Sequence, residues 1–160
     1  MPQFATFTVD NLLLGLDVRH VQEVLAMQPL RKVPLAAPEV RGLLNLRGQI
    51  LITIDMRTVL HRDREASKDG EEQTESETAR HIVVMQTASE PVALLVDRFG
   101  DVVDAPPESF EPCDSLLEGE LAELIGGAYR QDAGLLHVLE AGVLTRRIFS
   151  GSADVGERQA

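Results

Sequence analysis

Apolar residues arrive in short runs, each broken within a few positions by glycine, proline or a polar pair, which limits this chain to small elements. Phe4 to Val9 sets the pattern. Ala5, Phe7 and Val9 fall on one side and Phe4, Thr6 and Thr8 on the other, the period of a strand. Asp10-Asn11 supplies a tight turn into Leu12–Leu16. Gln49 to Ile54 repeats the alternation with Ile50, Ile52 and Ile54 on one face. Ile82 to Met85, Val92 to Val96 and Phe99 to Val103 also read as strands, and Pro106-Pro107 stops the series. Ile125–Arg130 and Leu135–Leu139 form a hairpin around Gln131-Asp-Ala-Gly134. Many short strands with few long helical patterns predict an all-β barrel or sandwich rather than an α/β fold.

Short helices are expected between the strands. Asp17 caps one in which Val18, Val21, Val24 and Leu25 recur at helical spacing. Pro38 opens a second, with Val40, Leu43 and Leu44 as its buried stripe and Arg47-Gly48 at its end, Gly48 serving as C-cap. Asp55 leads into a third through Met56, Val59 and Leu60; Leu116–Leu124 is a helical or irregular crossing, and Ala141–Phe149 closes the series. From His61 to Arg80 the chain holds almost no apolar residue, so this segment is expected to be a mobile loop, dispensable for folding, that divides the chain into two halves. The polar tail over 150–160 is expected to fray.

The formal net charge of -11 argues against nucleic acid or an anionic membrane as partner, since both demand a basic footprint. Cys113 is the only cysteine, which fits a reducing, cytoplasmic setting, and no run is long enough to insert into a bilayer. His20, His61, His81 and His137 lack metal-ligand spacing. Asp97, Asp101 and Asp104 lack the later glutamate of a calcium loop and read as solvated turn and edge charges. Gly126-Gly127 lacks the Lys-Ser/Thr of a phosphate loop, and acids beside Cys113 disfavour a thiolate. No catalytic residue, metal site or cofactor is expected.

One block is distinctive. Val40-Arg-Gly-Leu-Leu-Asn-Leu-Arg-Gly-Gln-Ile-Leu-Ile-Thr-Ile-Asp-Met-Arg57 resembles the signature of CheW-like domains, whose core is Asn-Leu-Arg-Gly followed by an apolar strand and Asp-x-Arg. Val21-Gln-Glu-Val-Leu25, Val33-Pro34 with Pro38, Leu94-Leu-Val-Asp97 and Ile125-Gly126 are similar to other family elements in the expected order. The resemblance spans residues 4–148. It departs at Ile52, where the family usually has Pro, at Thr53, where Val is common, and at Phe99, where a smaller aliphatic residue is frequent.

The resemblance implies a single domain of two SH3-like five-stranded β-barrels sharing a hydrophobic core, with a few short helices. It implies a non-enzymatic adaptor that couples methyl-accepting chemoreceptors, through their cytoplasmic tip, to the regulatory domain of a CheA-type histidine kinase, recruited from the cytoplasm to receptor arrays. Glu23 and Arg47 match an acid and an arginine that lie together beside the receptor groove in this family. Val21, Gly42 and Asn45 complete the expected receptor-groove set, with Gly42 allowing a close backbone approach and Asn45 bonding its local backbone. Val21, Val24, Leu43 and Leu44 also fit a purely structural, core role. Competing expectations are a CheW-like regulator that competes for kinase or receptor instead of bridging them, and a barrel-fold hydrolase.

Overall fold

The structure is a computed structural model that describes residues 2–60, 79–112, 123–132 and 134–148. Strands β1 (Gln3–Val9) and β2 (Leu12–Asp17) form a hairpin. Its turn residues, Asp10 and Asn11, have φ of 49° and 69°, the left-handed pair of a type I′ turn. The chain crosses to a second sheet through a 3-10 turn, Val18–His20, where it begins β3 (Val21–Ala26). A hairpin of β4 (Val40–Leu46) and β5 (Gln49–Asp55) follows, then the expected short helix α1 (Met56–Val59), whose N-cap is Asp55. Strands β6 (His81–Met85) and β7 (Val92–Val96) complete this sheet. The chain returns to the first sheet with β8 (Arg98–Asp104), β9 (Phe110–Pro112), β10 (Ile125–Gln131) and β11 (Gly134–Leu139), and a helix α2 occupies 141–148.

The first sheet runs β8-β1-β2-β11-β10-β9 and the second β3-β6-β7-β5-β4, with β2–β11 and β5–β7 the parallel pairs. These are the two SH3-like β-barrel lobes, one six-stranded and one five-stranded in its hydrogen bonding. Period-two alternation sorts the apolar side chains into three clusters. Leu44, Leu51, Ile82, Val84, Ala93 and Leu95 fill the five-stranded lobe. Phe4, Ala105 and Leu136, with Tyr129 and Val103 against them, fill the six-stranded lobe. Phe7, Leu14, Leu16, Ile54, Val83, Met85, Leu94 and Val96 form the core shared between them. Strands β6 and β7 thus bury both faces, one into their own lobe and one into the shared core.

The expected helices at Val18–Leu25 and from Pro38 are corrected to strands. In both places a β-bulge explains the helical spacing. The register of β3 on β6 shifts between Val21 and Glu23, so Val21 and Val24, three apart, both meet the shared core. The register of β4 on β5 shifts between Val40 and Gly42, so Val40 and Leu43 fall opposite Ile54 and Ile52 on one face. An extra residue in a strand mimics one turn of helix. The readings of 61–78, of 116–122 and of the tail lie outside the described residues.

Arg80 corrects the boundary of the charged run. Its side chain is only 1% exposed, and its Nη2 donates to Asp55 Oδ1 at 2.8 Å and its Nη1 to Asp55 Oδ2 at 3.3 Å. Its Nε and Nη2 also reach the carbonyls of Val96 and Leu95. Asp55 Oδ1 accepts from the Arg57 backbone N–H, and Oδ2 accepts from Arg41. Burial alone would raise the Asp55 pKa, but the Arg80 guanidinium, the Arg57 N–H and Arg41 together hold it below the ordinary value.

Two hydroxyls show how polar atoms fare inside. Thr6 Oγ1 donates to the Asp101 carbonyl at 2.7 Å and accepts from the Asp101 N–H at 3.0 Å, filling the register shift in β1. Thr53 Oγ1 is buried with no hydrogen-bond partner among the described residues.

Removing that hydroxyl while keeping its shape, with Thr53→Val, is expected to raise stability by about 1 kcal/mol, read as a higher denaturation midpoint with an unchanged slope. Asp55→Ala leaves Arg80 buried without its carboxylate and is expected to cost about 3–5 kcal/mol. Because the Asp55 pKa is depressed on folding, its contribution is complete above the ordinary carboxylate range and drains as pH falls through the lowered value. Acid unfolding of the wild type below about pH 4 should therefore lose one component in Asp55→Asn.

Candidate functional site

The Asn45-Leu-Arg-Gly48 block forms the tip of the β4–β5 hairpin. Leu46 pairs with Gln49, and the two residues between them, Arg47 and Gly48, have φ of 51° and 89°, a second type I′ turn. The expected helix C-cap at Gly48 is corrected accordingly: the left-handed backbone serves a hairpin. Nothing lies within 4 Å of where a Gly48 Cβ would sit, so glycine is used for its φ and not for space. Asn45 Oδ1 accepts from the Gly48 N–H at 2.9 Å, bonding local backbone as expected and locking the turn.

That locked turn aims the Arg47 guanidinium at β3. Arg47 Nη1 donates to Glu23 Oε1 at 3.2 Å, and Nη2 bonds Oε2 in a two-pronged pair. Strands β3 and β4 are the two edges of the five-stranded ladder, so this pair is a clasp across the open seam of the lobe. The same seam is closed by backbone. Arg31 exchanges hydrogen bonds with Leu43, N to O at 2.9 Å and O to N at 2.7 Å, laying the segment after β3 along β4. Gly42 makes this possible, because a Cβ there would stand 2.7 Å from the Arg31 carbonyl oxygen.

The structure therefore gathers Glu23, Asn45 and Arg47 at one seam. Gly42 is buried beneath residues 30–31, and Val21 is half-buried against the shared core on the opposite face of β3 from Glu23. Arg47 keeps 68% of its side chain exposed, leaving its guanidinium open to a partner. Hydrogen bonds from Arg47 hold the Glu23 carboxyl below its ordinary pKa, so the pair is charged throughout the neutral range.

Two further features escaped sequence reasoning. Asp97, read as a solvated acid, accepts from Arg57 Nε at 2.7 Å and from the Asp10 N–H at 2.6 Å; the Asp-x-Arg of the signature block was the available signal. Asp101 and Asp104 are exposed as expected. Exposed large apolar side chains fall at Val33, Leu35 and Ile50 on the five-stranded lobe and at Val102 and Phe110 on the six-stranded lobe. Leu35 is fully exposed with φ of 61°, beside the exposed cations Arg31 and Lys32. Among the described residues no cluster of His, Cys, Asp and Glu could hold a metal ion, and no helix is long and apolar enough to cross a membrane.

Gly48→Val places a β-branched residue at φ 89° and is expected to cost about 1–2 kcal/mol, whereas Gly42→Ala must displace the Arg31 backbone. Hydrogen exchange separates the two: Gly42→Ala should speed exchange of the Arg31 and Leu43 amides, and Gly48→Val that of the hairpin tip.

Comparison with known proteins bears on the family and the fold. The family model described as the CheW-like domain matches residues 3–149. A chemotaxis protein CheW of Treponema pallidum is 27% identical over 138 residues, covering 86% of this chain and 78% of that protein. One of Klebsiella aerogenes is 26% identical over 125 residues, covering 78% and 70%. The crystal structure of scaffolding protein TtCheW from Thermoanaerobacter tengcongensis superposes with a TM-score of 0.71 at 21% identity, covering 88% of this chain and 90% of that one. With its signature block at the hairpin tip and the match running through both lobes, this chain belongs to the CheW-like domain family.

Proposed function

We propose that this chain is a non-catalytic adaptor of a chemotaxis pathway, which couples chemoreceptors to a CheA-type histidine kinase. The observation that carries the proposal is the Glu23–Arg47 clasp, a charge-assisted pair built from the family's signature turn and left open to solvent on the arginine side. The seam it closes is the docking site for the cytoplasmic tip of a receptor, with the clasp fixing the groove wall and Arg47 free to meet a carboxylate of the receptor helix.

The kinase side is assigned to the end of the five-stranded lobe. Val33 and Leu35 stand exposed in the segment that follows β3, with Lys32 next to them in sequence, in a chain whose overall charge is strongly negative. Leu35 takes the left-handed position of a turn closed by the Ala36 N–H on the Val33 carbonyl at 3.4 Å, which leaves its side chain fully exposed. An apolar centre with a charged rim is the make-up of a modest protein interface. The partner is the regulatory domain of the kinase, met barrel to barrel. The adaptor acts in the cytoplasm at membrane-associated receptor arrays.

The test is a paired titration against a receptor-tip fragment and the kinase regulatory domain. Arg47→Ala should weaken receptor binding by about tenfold, near 1.4 kcal/mol, with kinase binding and melting temperature unchanged. Leu35→Asp should do the reverse. Arg47→Glu should lose more, since it sets two carboxylates together; rescue by Glu23→Arg in that background identifies the pair, and no rescue identifies direct contact by Arg47. Equal losses for both partners with a lowered melting temperature would make Arg47 a folding residue. A ternary complex of receptor, adaptor and kinase marks a bridge, whereas mutually exclusive binding marks the competing regulator.

A further inference from the structure

Within the described residues the chain passes between the lobes at two places, the 3-10 turn Val18–His20 and Asp97. The second crossing is one residue long, since β7 ends at Val96 and β8 begins at Arg98. Nearly every polar atom there is committed. Asp97 N–H donates to the Thr8 carbonyl at 2.9 Å, and Oδ2 accepts from the Asp10 N–H at 2.6 Å; both partners belong to the β1–β2 hairpin of the six-stranded lobe. Oδ1 accepts from Arg57 Nε at 2.7 Å, with Arg80 Nε at 3.6 Å; both arginines flank the five-stranded sheet. On either side, Val96 O accepts from Arg80 Nε, and the Phe99 N–H donates to His81 Nδ1 at 3.2 Å, tying β8 to β6.

The shared core pulls the lobes together, but burial of aliphatic surface is non-directional and tolerates sliding. Hydrogen bonds to a carboxylate are directional. The type I′ turn fixes the Asp10 N–H, and the cap of α1 by Asp55 fixes Arg57, so Asp97 sits between two rigid supports, one in each lobe. We propose that Asp97, with Arg57, sets the angle between the two lobes and is thereby a positioning residue for coupling. This rests on the adaptor reading above. An adaptor that contacts one partner at the seam and another at a barrel end transmits state only if the two surfaces hold a defined mutual orientation. Asp97 touches neither surface and acts through the crossover.

The experiment measures the angle directly. Nitroxide labels go on Ala26→Cys in β3 and Val102→Cys in β8, both exposed, in a chain whose only cysteine, Cys113, is replaced by serine. Electron–electron resonance should give one narrow distance distribution in the parent. Asp97→Ala should broaden and shift it. Arg57→Gln, which leaves the contacts of Asp97 to Thr8 and Asp10 intact, should give a smaller change and serves if Asp97→Ala does not fold. An unchanged distribution in either folded variant overturns the proposal. The second readout uses the full chain with receptor fragment and kinase. Asp97→Ala should keep each separate affinity within about twofold while stimulation of the kinase by receptor falls by about tenfold or more. Equal loss of both separate affinities makes Asp97 a folding residue only and overturns the positioning role. If the parent chain binds neither partner, the adaptor reading fails, and the distance measurement still decides whether Asp97 sets the lobe angle.

Discussion

Two strands carry the burden of two cores. β6 and β7 have every residue from Ile82 to Met85 and from Val92 to Val96 buried, with odd and even positions serving different compartments. An ordinary half-buried strand turns every second residue to solvent; these turn none, which is why they read as unbroken aliphatic runs. The lobes therefore cannot separate without opening a shared wall, and the second barrel is not an appendage of the first. Everything polar in the middle of the molecule must be reconciled with that wall.

The reconciliation is electrostatic. Arg80 enters β6 from the charged run carrying a cation into an apolar layer, and Asp55 meets it from the end of β5. Isolated, either charge would carry a desolvation penalty of several kcal/mol. Together, with the Leu95 and Val96 carbonyls and the Arg57 N–H filling the remaining positions, they become the polar seal where the five-stranded lobe abuts the crossover. Asp97 extends the seal to the other lobe. The arrangement couples three sequence-distant pieces: the signature Asp-x-Arg, the end of the charged run, and the single-residue crossover.

Legibility followed the physics of periodicity. The β1–β2 hairpin, the short helix after Asp55 and strands β5 to β8 were visible because alternation and turn chemistry are local properties. The two false helices arose where alternation is interrupted: a bulged strand puts residues three apart on one face, which is also the signature of a helix. Telling the cases apart required the partner strand, and that is not local. The Glu23–Arg47 pair was reached through family resemblance rather than spacing, since twenty-odd residues and a strand crossing separate the two. Arg80 and Asp97 were misplaced for one reason. A charge in a charged neighbourhood reads as solvated, and only the tertiary structure shows it turned inward.

The closed seam of the five-stranded lobe has a bearing on recognition itself. A free strand edge is a template on which any extended chain can add itself, in register with backbone donors and acceptors and with little regard for sequence. Here the edge of β4 is already occupied by Arg31, and the hairpin tip is pinned to β3 by the clasp. At that point a partner cannot pair with the strand backbone. Strand addition is blocked there, which favours contact through side chains, whose shape and charge can discriminate where backbone cannot.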